Sequence, residues 1–252
     1  MYPDSEVLRN LADIHDEQIL KDMEADYTLS RLSDVVIDDS VRRFDFDALC
    51  ELHYYIFQDV YAWAGKPRII NIEKSESVLG NISIEYSDYV DIVKEASQIL
   101  FRMNMVEWEK EPFDSVVIKF SDYLVELWKT HPFREGNTRT IVTFCCLFIE
   151  TRGIYVESEL FKDNAAYMRN ALVVASAIFS DLGDLRKPEY LYRIVEDALN
   201  QGRVMKEHVS EKIVSAGFSP TEKNIQEIVL WNRRTHTEHT SKEIMDYLAG
   251  TV

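Results

Sequence analysis

The sequence predicts a mainly helical fold, and three observations carry that expectation. Apolar residues recur at helical spacing through most of the chain, only eight glycines and six prolines interrupt its 252 residues, and a single short stretch has the β-branched richness of a strand. At this length the chain can bury a full core, and one domain with an appendage accounts for it better than two equal domains. The organisation we expect is an N-terminal helical extension over 1–40, a core over 41–200 and a C-terminal helical appendage over 201–252.

Taken in order, Phe46, Leu49, Cys50, His53 and Phe57 share one helical face, and Gly65, closing the run FQDVYAWAG, is placed to cap that helix. His53 reads first as a core or interhelical histidine and only second as a functional one. Lys66 to Lys74, KPRIINIEK, bounded by Gly65 and Pro67, predicts a short strand or hairpin. Val117, Phe120, Leu124 and Leu127 predict an amphipathic helix over 114–129 with Asp114 as its cap. Pro132 ends that helix and biases His131 toward an extended backbone, its ring facing a cleft. Ile141, Phe144, Cys145 and Phe148 predict a second buried helix beginning at Gly136, Asn137 and Thr138.

Further on, Asp163, Asn164 and Tyr167 open a helix continued by the apolar Met168, Ala171, Leu172 and Ala175. Another holds Tyr190, Leu191, Ile194, Val195 and Leu199, after which a boundary is expected near Gln201-Gly202 or Gly217. Two short helices follow the capping signals Ser219-Pro220-Thr221-Glu222 and Thr240-Ser241-Lys242-Glu243. They flank the basic aromatic patch from Trp231 to His236, which reads first as part of a docked appendage and second as a partner-binding or small DNA-binding hairpin. His236 and His239 lack a third ligand for a metal.

The chemistry concentrates in His131-Pro132-Phe133-Arg134-Glu135-Gly136-Asn137-Thr138-Arg139. Histidine accepts a proton near neutral pH, and a carboxylate such as Glu135 suits magnesium, which is held by one or two carboxylates together with substrate phosphates. A helix start offers unpaired N–H groups to an anion, Gly136 permits close backbone approach, Asn137 adds a neutral donor and Arg139 forks onto phosphate oxygens. A nucleotide meets these requirements.

These residues resemble the Fic (filamentation induced by cAMP) domain, whose motif reads H-x-F-x-[D/E]-G-N-G-R-x-x-R. His131, Phe133, Glu135, Gly136, Asn137 and Arg139 match it. The resemblance covers roughly residues 5 to 200 and implies a helical bundle with a short β-hairpin flap over the active site. It also implies ATP as co-substrate, Mg2+ on Glu135, His131 as general base, and AMP transfer to a Ser, Thr or Tyr hydroxyl of a target protein. Gly136, Asn137, Thr138 and Arg139 would bind the phosphates, Phe133 would be a buried anchor, and Asn164 and Tyr167 would form the adenine-side wall. Spacing alone makes Tyr167 a packing aromatic. Ile70, Asn71, Ile72, Lys74 and Ser75 would lie in the flap and dock the target by strand addition; a solvated loop is the other reading of Lys74 and Ser75.

Two positions depart from the motif. Thr138 replaces the second glycine, and a β-branched residue there resists positive φ and narrows the anion hole. Val142 replaces the second arginine. A Doc-like phosphotransferase and a degenerate Fic module that only binds a nucleotide or partner are the alternatives these departures raise. The family also silences itself through a helix bearing [S/T]-x-x-x-E-[G/N], and this sequence has no match to it, so such silencing is not expected. A toxin-like protein of this kind would still admit a regulatory, antitoxin-like partner.

Composition bounds the remainder. A formal charge of −16, with 44 acidic against 28 basic residues, argues against broad nucleic-acid binding. No apolar run reaches the length of a membrane span, the longest being the ten residues from Thr140 to Ile149. Cys50, Cys145 and Cys146 have neither metal nor disulfide spacing and read as core thiols of a reducing compartment. With no secretory signal at the start, the cytoplasm is the expected location, unless a secretion route reads another signal.

Overall fold

The computed structural model describes residues 1–3, 5–35 and 43–250. Among them the helices are α1 (Glu17–Val35), α2 (Phe46–Phe57), α3 (Ile92–Asn104), α4 (Phe113–Thr130), α5 (Asn137–Glu150), α6 (Glu159–Asp163), α7 (Ala165–Ala175), α8 (Glu189–Ser215), α9 (Glu222–Thr235) and α10 (Ser241–Leu248). A two-stranded antiparallel sheet, β1 (Ile178–Phe179) and β2 (Gly183–Asp184), lies between α7 and α8. The mainly helical class is as the periodicity predicts.

The helix α4 is the axle of the bundle, packing against α3, α5, α7 and α8, while α2 packs against α1, α3 and α5. The predicted faces are the buried ones: Leu49, His53 and Phe57 on α2, Val117, Phe120, Leu124 and Leu127 on α4, and Ile141, Phe144 and Phe148 on α5. Trp108, Trp128 and Phe133 are also fully buried, and aromatic side chains of this size dominate the energetics of a core.

Local details differ from expectation in instructive ways. Asp114 does not cap α4; Pro112 occupies the cap position without a side-chain bond, and Asp114 sits in the first turn. Gly65 does not cap α2, which ends at Gln58. Its left-handed φ of 76° and close approach to the backbone of Cys50 and Tyr54 place it instead in the turn that folds back on the helix. The predicted hairpin over 66–74 has no strand ladder. Residues 70–86 form a loop with a 3-10 turn at Ser77–Leu79 and one antiparallel bridge, Glu76 with Ile82. Side chains hold it where a ladder would: the Lys74 N–H donates to Ser83 Oγ at 3.0 Å, and Arg169 of α7 grips the buried Glu76 through two bonds of 2.6 and 2.9 Å.

Of the two expected boundary positions, Gln201-Gly202 falls inside α8, which runs through it unbroken, and Gly217 lies just past the end of that helix. Gly202 is there for packing, since a Cβ would lie 2.0 Å from the Tyr155 carbonyl oxygen. Beyond it a second, smaller core gathers Tyr155, Val209, Ile213, Ile225, Ile228, Val229 and Ile244. Thr221 caps α9, and Thr240 with Glu243 forms the predicted capping box of α10. The basic aromatic patch is used internally: Trp231 stacks on His239 and Tyr247, and Arg233 pairs with Glu150 at the end of α5 at 2.7 and 2.9 Å. Among the described residues no helix is long and apolar enough to cross a membrane.

Replacing Gly202 with alanine should lower the unfolding free energy by about 1–3 kcal/mol, the usual cost of overpacking a filled site. Urea denaturation measures it; an unchanged midpoint would mean that α8 can move away from Tyr155 without cost.

Candidate active site

The nine-residue motif forms the connection from α4 to α5. His131 closes α4 in the left-handed region (φ 44°, ψ 59°), its N–H donating to the Trp128 carbonyl at 3.1 Å. This replaces the extended backbone expected before Pro132. Left-handed backbone costs a non-glycine residue about 1 kcal/mol, and Arg68 supplies the restraint that holds it. Its Nε donates to the His131 carbonyl at 2.9 Å, and its own N–H donates to the Pro132 carbonyl at 2.8 Å.

At the other end, Gly136 has φ 82°, and a Cβ there would meet the Phe57 ring at 2.3 Å, so both backbone and space demand glycine. Asn137 is buried and braces the loop, its Oδ1 accepting from the Phe133 N–H at 2.8 Å and its Nδ2 donating to the Phe133 carbonyl at 2.7 Å. Its side chain is therefore spent, and what it offers an anion is its peptide N–H. Gly136 caps α5 without a side-chain bond, leaving the N–H groups of Asn137, Thr138 and Arg139 at the open helix start.

Thr138 lies inside the helix, where no positive φ is required, so the strain expected of a β-branched residue does not arise. Its Oγ1 accepts from the Trp128 indole N–H at 2.9 Å. The indole in turn meets the His131 ring edge-on, centroids 5.4 Å apart, and Tyr86 covers the imidazole from 4.2 Å.

The His131 ring is buried, not facing an open cleft as expected, and among the described residues neither ring nitrogen has a hydrogen-bond partner. Burial, reinforced by the nearby Lys74 and Arg68 charges, holds its pKa well below the usual value. It is a neutral imidazole with an acceptor lone pair and nothing to accept from. An unsatisfied buried polar group costs about 1–3 kcal/mol and calls for a functional explanation.

Glu135 presents its carboxylate beside this loop. Oε1 accepts from the Gly136 N–H at 3.1 Å, and Oε2 faces the Lys74 ammonium at 3.3 Å. Burial pushes this carboxyl up, but Lys74 and the Gly136 N–H outweigh it and bring the pKa below its ordinary value. Magnesium fits this donor, because Oε2 already faces a cation. No cluster of three or more His, Cys, Asp or Glu side chains suited to a metal occurs among the described residues, so substrate phosphates and water would complete the shell.

Arg139 does not point freely at an anion. Its guanidinium pairs with the buried Glu24 of α1, donates to Thr28 Oγ1 at 2.8 Å, and lies 5.0 Å over the Phe57 ring. Glu24 also accepts from the Tyr61 hydroxyl. A glutamate from a helix outside the motif thus engages a motif arginine, although the sequence has no match to the family's silencing pattern. The segment is Leu20-Lys21-Asp22-Met23-Glu24-Ala25, with leucine where the family pattern has its hydroxyl residue; Thr28, one turn later, supplies the hydroxyl.

Of the flap residues, Lys74 reaches the site. Asn71 closes the base of the loop, donating to Asp88 at 2.9 Å and accepting from the Tyr89 N–H at 2.9 Å. Ile70 and Ser75 are exposed and Ile72 is half-buried. Asn164 donates to the Leu160 carbonyl, and the Tyr167 hydroxyl to the Tyr190 carbonyl at 3.1 Å; among the described residues no hydrogen bond joins either to the motif loop. His53 is the core histidine its face suggests, its Nδ1 accepting from the Gly65 N–H, its Nε2 bonding the Glu135 carbonyl at 3.0 Å and its ring stacking on Phe133.

With this geometry in hand, comparison with known proteins is decisive about kinship. A model of the Fic/DOC family matches residues 43–149. Over 154 residues the chain is 32% identical to a probable protein adenylyltransferase, y4lH of Sinorhizobium fredii, covering 60% of this chain and 75% of that protein. The chain belongs to the Fic/DOC family. A second relative, protein adenylyltransferase VbhT of Bartonella schoenbuchensis, is 30% identical over 159 residues, 62% of this chain but only 31% of that protein's length. The fold agrees with solved Fic structures. BepC of Bartonella tribocorum, with bound AMPPNP, superposes with a TM-score of 0.63 at 16% identity over 79% of this chain and 94% of that one. A Bep effector Fic domain from Bartonella sp. AR 15-3 gives 0.64 at 18% identity over 81% and 92%.

Arg68, Glu24 and Trp128 were not singled out as site residues from sequence. Arg68 lay within the predicted strand and Trp128 within a helix, and neither carries a signal until the chain folds.

Two measurements check this geometry. The His131 imidazole should stay neutral in NMR titration from pH 8 to 6, where a histidine of ordinary pKa becomes about three-quarters protonated. The same refusal of a proton makes folding less stable as pH falls below about 6.5, since the unfolded chain then binds a proton that the folded one does not. A titration midpoint near 6.5 would contradict the buried ring. Thr138→Gly leaves the Trp128 indole N–H without its acceptor and should cost about 1–3 kcal/mol of stability, while Thr138→Ser should recover most of it; equal denaturation midpoints for all three would mean the bond is worth nothing.

Proposed function

We propose that this chain is a protein adenylyltransferase that transfers AMP from ATP to a Ser, Thr or Tyr hydroxyl of a target protein. The observation that carries this reading is the neutral, partnerless His131 imidazole beside the open start of α5. The relatives named protein adenylyltransferases support it.

In this reading the N–H groups of Asn137, Thr138 and Arg139 hold the ATP phosphates, with the Arg139 guanidinium joining once it leaves Glu24. Glu135 would hold magnesium, which supplies neutralising charge to the phosphates. His131 takes the proton of the target hydroxyl as its oxygen attacks the α-phosphorus. The bond from that phosphorus to the bridging oxygen breaks, pyrophosphate leaves, and a phosphodiester joins AMP to the target. The exposed Tyr167 ring, anchored by its hydroxyl, suits the adenine side with Asn164 beside it. Among the described residues the peptide groups of residues 71–73 make no backbone hydrogen bonds, and with Ile70 exposed they suit docking of an extended target segment.

The structure described is then a closed state. Glu24 neutralises Arg139, and Tyr86 with Trp128 covers His131, so activity requires α1 and the flap to shift. An antitoxin-like partner remains part of this proposal only as something that would bias the shift.

The experiment is transfer from labelled ATP into candidate target proteins. The α-label should appear on protein, and His131→Ala should lower the rate at least ~100-fold, the lower end of general-base catalysis, with ATP affinity retained. Transfer of the γ-label instead would make the chain a Doc-like phosphotransferase. ATP binding with neither label transferred would leave only a binding module and contradict the transferase reading.

A further inference from the structure

We propose that Lys74 is an exchangeable counter-ion of the site: its ammonium holds Glu135 while metal is absent and passes to the nucleotide phosphates when a divalent cation takes Glu135. This rests on the nucleotide-binding reading of the motif loop. It assigns Lys74 a role in the phosphate site itself, beyond target docking.

The geometry starts from Glu135. Its two oxygens are unequal, because Oε1 is tied to the Gly136 N–H and only Oε2 is open to a cation. Lys74 occupies that oxygen at 3.3 Å. A divalent ion and an ammonium on one carboxylate repel each other at short range, so binding of either weakens binding of the other.

Lys74 is also held so that it cannot simply leave. Its backbone N–H donates to Ser83 Oγ, and two residues on, Glu76 is clamped by Arg169 and also accepts from Tyr86. The backbone is anchored there, and the flexible four-carbon side chain is half-buried. Its ammonium lies beside the carboxylate of Glu135, and its charge depresses the pKa of the His131 ring. That is where phosphate must enter if α5 is the anion cradle.

The electrostatics of this chain give the residue its importance. Val142 stands where the family motif has a second arginine, and Arg139 is paired with Glu24. Arg169 is likewise paired, with Glu76. Lys74 is a cation beside the motif loop whose partner is the very group that metal would claim. Metal binding therefore frees a positive charge next to the phosphates without any movement of the bundle.

The test compares Lys74→Met and Lys74→Arg with the unchanged chain, each also in a Glu24→Gln background that releases Arg139. Mn2+ binding to the nucleotide-free protein is followed by electron paramagnetic resonance, and ATP binding by calorimetry in EDTA and in Mg2+. Lys74→Met should bind Mn2+ about threefold more tightly, the worth of removing a part-exposed ion pair. It should also bind ATP about tenfold more weakly in EDTA, where the Glu135 charge then faces the phosphates uncompensated. In Mg2+ the loss should persist, because the ammonium that would pass to the phosphates is missing, and Lys74→Arg should behave like the unchanged chain in both assays. Mn2+ and ATP affinities that both stay unmoved in Lys74→Met overturn the proposal, even if target docking suffers. Failure of the parent chain to bind ATP in either background would instead sink the nucleotide reading, while tighter Mn2+ binding would still report the Lys74 competition.

Discussion

The buried guanidinium of Arg68 is the interaction on which the site depends. Its Nε donates to the His131 carbonyl, its Nη1 to that of Ile70 at 2.7 Å and its Nη2 to that of Ser87, so one planar group pins the motif loop and both ends of the flap. Among the described residues no carboxylate lies within salt-bridge distance of it, and burial pushes its pKa down more than the Asp88 charge raises it. A buried charge satisfied only by carbonyls is an expensive way to stabilise a fold. What it supplies is geometry. An ammonium could not span three carbonyls in one plane, and the left-handed His131 would lose the restraint that keeps its ring under Tyr86.

From that fixed frame the charges near the motif are arranged in pairs. Arg139 meets Glu24, Lys74 meets Glu135 and Arg169 meets Glu76. Each pair neutralises a group that phosphate, metal or flap would otherwise use. Breaking such a pair costs less the more its groups are exposed, and in the proposed reaction an incoming polyphosphate with its metal would replace two acceptors at once. The resting site is thus electrostatically satisfied except at His131, whose two ring nitrogens stay unpaired. In the proposed reaction a hydroxyl-bearing target would supply what that ring lacks.

How far the sequence foretold this depends on the range of each contact. Helices with strong apolar periodicity, such as that of Phe120, Leu124 and Leu127, were legible because burial of one face decides them. The capping box at Thr240 and Glu243 was legible because it is local. The matching motif residues located the loop, but not their occupations. Asn137 spends its amide on Phe133, and Thr138 spends its hydroxyl on Trp128 ten residues away. The flap misled because its β-branched residues satisfy a strand pattern while their neighbours' side chains take over the anchoring. Glu24 was invisible for a different reason: its partner is 115 residues away, and the local pattern around it departs from the family's at the hydroxyl position.

If the motif loop is a nucleotide site held shut by α1, the pairing of Glu24 with Arg139 is the latch, and ATP affinity is its most direct readout. Calorimetric titration of ATP into the Glu24→Gln chain should show binding about tenfold tighter than in the unchanged chain, because Arg139 no longer has to leave a carboxylate, and Arg139→Ala added to that variant should remove the gain. Equal ATP affinity with and without the Glu24 carboxylate, in chains that remain folded, would contradict the account.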